Sequence, residues 1–140
     1  MHTLTSDQLA HLLRASAAGY YPSEAAAQLL TGHRRWLDRL DFRQTCIDYD
    51  HDGHTPIAWV DWQAVPAFLT RAARDCSTSE ARILALAAEI AGVDTGQPLA
   101  ELLASLDDHN SRLVLDAIAH VLTRGGTVVL ADPATRGSVR

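Results

Sequence analysis

The sequence predicts a mainly helical α+β domain: about seven short helices with a small antiparallel β-hairpin in the first half. Three observations carry this. Apolar residues recur at helical spacing in short runs, each bounded by capping residues, proline or glycine. Between Cys46 and Trp62 the texture switches to aromatic and branched residues around Asp52-Gly53, a hairpin cue. The 140 residues are 47% hydrophobic and 21% charged, ordinary values for a globular chain long enough to bury one core.

The elements follow in order. Thr5 and Gln8 have capping-box spacing, and Leu9, Leu12, Leu13 and Ala17 then form a stripe that ends at Gly19. Tyr20-Tyr21-Pro22-Ser23-Glu24 turns into a second helix, with Pro22 suited to its start and Gly32 to its stop. A short third helix over 33–41 carries Trp36, Leu37 and Leu40. The hairpin spans 45–60, with Cys46 opening its first strand and Pro56 at a strand start or edge.

Helices resume with Val65, Phe68, Leu69 and Ala72, where Asp61 is a candidate cap and Pro66 is tolerated only in the first turn. Ser77-Thr78-Ser79-Glu80 opens a helix through Ile83, Leu86, Ala87 and Ile90, stopped by Gly92. Pro98 opens the next, with Leu99, Leu102, Leu103 and Leu106 as its stripe. Asp107-Asp108-His109-Asn110 caps a last helix carrying Val114, Ala117, Ile118 and Val121, ended by Gly125-Gly126. Thr127-Val128-Val129-Leu130 reads as a short strand. The expected organisation is one compact domain over 1–131 and a mobile tail over 132–140.

Twelve basic and seventeen acidic side chains give a net charge of −5. All twelve bases are Arg, and the acids are thirteen Asp and four Glu. Without Lys there is no Schiff-base nucleophile and no P-loop lysine, and cationic recognition falls to Arg alone. The acidic balance provides no general attraction to nucleic acid, so such binding needs a local patch. No basic-then-apolar leader opens the chain, and no apolar run approaches the roughly 20 residues of a membrane span. A cytoplasmic location with reduced Cys46 and Cys76 is expected.

Four of the twelve Arg lie in one stretch, Arg34, Arg35, Arg39 and Arg43, around Trp36. Arg and Trp are typical anchors of partner-binding surfaces, so these five residues are the expected partner-binding set. Three helices and a hairpin are also the order of a winged-helix DNA-binding domain, with 33–41 as recognition helix and 50–56 as wing. Asp38, Asp41, Asp48, Asp50 and Asp52 oppose that reading by repelling phosphate.

The loop Asp48-Tyr49-Asp50-His51-Asp52-Gly53-His54 begins like an EF-hand, but its twelfth position is Trp59 where a bidentate Glu belongs. Asp48, Asp50, Asp52 and His54 remain a candidate metal set. On the last helix, Asp116 and His120 stand at i, i+4 beside Arg112, a pair able to tune a histidine or to form a surface ion pair. Trp36, Trp59, Trp62 and Phe42 read as core, and any Trp left exposed becomes an anchor.

No GxSxG, HExxH, P-loop or glycine-rich dinucleotide motif is present. The expected function is therefore that of a small non-enzymatic protein, without cofactor, that binds another macromolecule as adaptor, regulator or inhibitor. A protein is the first expected partner and a membrane is not. The Leu99–Leu106 stripe and the helix after it offer a face for a homodimer. The alternatives are a winged-helix-like DNA-binding regulator using Arg34–Arg43 and a metal-binding protein using 48–54.

Overall fold

The computed structural model describes residues 4–51 and 55–126. Among them are seven α-helices and one two-stranded antiparallel sheet. The chain is mainly α with a small hairpin in its first half. No helix among the described residues is long and apolar enough to cross a membrane.

Helix α1 (Ser6–Ala17) opens on the expected capping box: the Thr5 hydroxyl accepts the Gln8 N–H at 3.1 Å, and the Gln8 carboxamide accepts the Thr5 N–H at 2.9 Å. Helix α2 (Tyr21–His33) has Pro22 in its first turn and buries Ala25, Ala26, Ala27, Leu29, Leu30 and Thr31. It is apolar on most of its surface because it packs against α1, α5 and α7 at once. Gly32 does not stop it. A Cβ at Gly32 would lie 3.1 Å from Leu113 on α7, so this glycine permits close helix approach. The helix ends one residue later, where Arg34 takes a positive φ of 73°.

The expected third helix over 33–41 is not one helix. A 3₁₀ turn covers Arg35–Asp38, Arg39 is extended, and α3 runs from Leu40 to Cys46. Trp36 and Leu37 face the core while Leu40 is 67% exposed, so their helical spacing reflects two short pieces. Cys46 closes α3. The strands are β1 (Ile47–His51) and β2 (Pro56–Val60), in the register Ile47↔Val60 to His51↔Pro56.

A 3₁₀ turn, Trp62–Ala64, separates β2 from α4 (Val65–Ala72), so Asp61 does not cap α4. Pro66 falls in its first turn, where the absent N–H costs no hydrogen bond. Helix α5 (Thr78–Ile90) has a complete Ser77–Glu80 capping box and buries the whole run Ile83–Ala88. Helix α6 is only Leu99–Leu103, leaving Leu106 outside, and α7 is Asp108–Leu122, capped by Asp107. The strand expected at Thr127–Leu130 and the tail over 132–140 lie outside the described residues.

The core draws on every helix. Its aromatic centre is Trp36, Phe42 and Phe68, with ring centroids 5.7–5.8 Å apart.

Candidate functional site

Two of the four clustered arginines, Arg39 and Arg43, are turned inward. Arg43 donates from Nε to the Leu37 carbonyl at 2.5 Å, from one terminal nitrogen to the Leu4 carbonyl at 2.6 Å and from the other to Ser6 Oγ at 3.1 Å. It stitches the N-terminus to the 3₁₀ turn. Arg39 forks onto Asp41 at 3.0 and 2.6 Å, donates to the Asp75 carbonyl at 3.2 Å and lies 4.9 Å over the Trp36 ring. That fork holds the Asp41 carboxyl below its ordinary range. Arg34 pairs with Asp7 at 2.6 Å on the surface. Arg35 is exposed and forms no ion pair among the described residues.

Trp36 is 0% exposed, and its indole N–H donates to the Glu80 carbonyl at 2.9 Å. This corrects its place in the partner-binding set: a fully buried indole packs the core and presents no surface. The winged-helix order of elements is present, but its recognition helix is broken at Arg34 and again at Arg39.

Of the candidate metal ligands, Asp48 and Asp50 are exposed on β1, while Asp52 and His54 lie outside the described residues. Among the described residues no group of three His, Cys, Asp or Glu side chains is placed to hold a metal. Both thiols are free. Burial pushes Cys46 up to about 12 and raises Cys76 too, which removes the thiolate character a nucleophile needs.

The hairpin shows what the cluster does not. Its register puts Asp48 opposite Trp59 and Asp50 opposite Ile57, so these four side chains share one face, and all four are exposed. The other face, Ile47, Tyr49, Ala58 and Val60, packs inward, and Ser16 Oγ on α1 donates to the Ala58 carbonyl. Asp48 and Asp50 form no ion pair among the described residues. Trp59 is 39% exposed and lines a cavity of about 150 Å³ with Trp62, Val60, Leu13 and the hydroxyl-bearing Ser16 and Ser23, among others.

The sequence put Trp36 and Trp59 together in the expected core and Trp36 also in the partner-binding set; the structure buries Trp36 and leaves Trp59 as the exposed tryptophan. Strand parity carried the signal, because Trp59 alternates with Ala58 and Val60 and so faces away from the packed side. Turning that parity into a face requires the register, which the loop length alone does not give.

A second cavity, about 310 Å³, is lined by Arg14, Ala18, Glu24, Gln28 and His120. His120 does not pair with Asp116, which takes Arg112 at 3.1 Å. Its Nε2 lies 2.8 Å from Glu24 Oε1 on α2, and the Tyr21 ring meets the imidazole edge-on at 6.0 Å. The other Glu24 oxygen accepts the Gly19 N–H at 2.9 Å. The Gly19 bond and then the His120 bond hold this carboxyl below its ordinary range.

Outward apolar side chains also occur on α6 (Leu99, Leu103) and α7 (Leu115, Ile118, Leu122). Of the leucine stripe expected at the dimer face, only Leu102 is fully buried. No protein-family model, curated protein or solved structure matches this chain.

Proposed function

We propose that this chain is a non-enzymatic protein-binding module that docks a basic segment of a partner protein on the outer face of its hairpin. The observation that carries the reading is the exposed Trp59, directly across the strand pair from Asp48, which forms no ion pair among the described residues, and beside a small cavity of mixed polarity. The cavity of about 150 Å³ is smaller than the roughly 300–1,000 Å³ of small-molecule pockets. It suits one aliphatic side chain of a partner. A flanking Arg or Lys then stacks on the Trp59 ring, a contact of about 0.5–2 kcal/mol, with its charge toward Asp48 and Asp50. Charge supports the same direction, since Arg34, Arg39 and Arg43 have partners within the chain whereas these two Asp form no ion pair among the described residues.

Selection from a randomised peptide library displayed on phage tests the reading. Enriched sequences are expected to be basic with an embedded aliphatic residue. Synthetic peptides made from them should bind more weakly as salt rises and lose about 2 kcal/mol of binding to Trp59→Ala. Enrichment of acidic sequences, or binding indifferent to both Trp59→Ala and Asp48→Lys, overturns it.

A further inference from the structure

The geometry points to a separate binding site for a small oxyanion, a carboxylate or a phosphate, in the cavity between α1, α2 and α7. Its central group is Arg14. The guanidinium is oriented by a hydroxyl from the packed interior: Nε donates to Thr31 Oγ1 at 2.8 Å, and Thr31, only 5% exposed, donates in turn to the Ala27 carbonyl at 2.7 Å. The Thr31 hydroxyl proton is thus committed to the backbone, and its lone pair is left for Arg14.

That tether uses one of the five guanidinium N–H donors. The two terminal nitrogens of Arg14 form no ion pair or hydrogen bond among the described residues. A terminal pair of this kind matches the two oxygens of a carboxylate or phosphate. Gln28, one helical turn beyond Glu24 on the same wall, adds an uncommitted side-chain amide.

Glu24 lines the same cavity and bears the charge that most opposes an anion. Its two oxygens are directed to the Gly19 N–H and to His120 Nε2, so its charge is met by donors on either side. Arg14, exposed at the cavity wall, remains its one formal charge without an ion-pair partner among the described residues. A volume of about 310 Å³ lies at the lower bound for metabolite-sized ligands. The hairpin cavity shares α1 and α2 with this one but is closed by Trp59, Val60 and Trp62 in place of His120, and no residue lines both. The two sites are therefore independently testable.

The probes are inorganic phosphate and acetate, added separately to the full chain with chloride at matched ionic strength. NMR signals of the Arg14 Nε–H and the His120 ring are expected to move saturably with at least one of the two oxyanions, and the preferred one identifies the ligand class. Arg14→Gln should weaken the apparent affinity about tenfold or more. Thr31→Ser, which keeps the hydroxyl, should retain binding. Shifts that track ionic strength alone, equal responses to chloride, or binding unchanged in Arg14→Gln overturn the proposal.

Discussion

Glu24 and His120, ninety-six positions apart in the chain, are joined by a bond of 2.8 Å that ties α2 to α7. The same carboxylate fastens the α1–α2 turn through the Gly19 N–H. A carboxylate held below its ordinary value adds stability above pH 4.5 and loses it as pH falls through the lowered value. Thermal melts across pH 3–7 should therefore show an acid decline that is shallower in Glu24→Gln, with the variant already less stable at neutral pH. Superimposable profiles would show that the clasp contributes nothing.

Arg43 and Arg35 separate structural from surface arginine. Arg43→Ala removes three hydrogen bonds from a half-buried guanidinium and takes the donor from the Leu4 carbonyl, and should cost about 2 kcal/mol. Arg35→Ala should leave stability unchanged. Urea denaturation reads both, and equal effects would contradict the inward placement of Arg43.

Asn110 is 6% exposed and its Oδ1 has no hydrogen-bond partner among the described residues. Asn110→Leu keeps the branched outline and the number of side-chain heavy atoms, removes the unsatisfied oxygen and preserves the backbone bond to Asp107. A gain of about 1 kcal/mol in urea midpoint measurements is expected. A loss would show that the amide has an essential partner.

Cys46, with its thiol pushed up to about 12 by burial, should resist thiol reagents at neutral pH until the fold opens. In Cys76→Ser, labelling kinetics then become a measure of opening. Rapid labelling of the native chain would contradict the buried placement.

Much of the fold was legible because its signals are local. The Thr5–Gln8 and Ser77–Glu80 boxes, and the stripe through Val65, Phe68, Leu69 and Ala72, require only residues within a turn or two. Gly32 was illegible for the opposite reason, since its role is set by Leu113 on another helix. The third helix was misread because Trp36, Leu37 and Leu40 match helical spacing, while the chain turns at Arg34 and straightens at Arg39. In the candidate sites, the i, i+4 spacing pointed to Asp116 with His120, but Asp116 takes Arg112 instead, and no rule of spacing reaches from His120 to Glu24. The exposure of Trp59 follows from strand register, a property of the pair and not of either segment.

The three tryptophans occupy three environments: Trp36 sealed in the core, Trp62 partly covered and Trp59 open to solvent. This gives the molecule an internal optical ruler. Quenching by a dissolved agent such as acrylamide should reach Trp59 first and spare Trp36 while the chain is folded. A Trp62→Phe chain would then report surface occupancy and core integrity from one emission spectrum. A ligand covering the hairpin would dim the quenchable fraction, and unfolding would enlarge it.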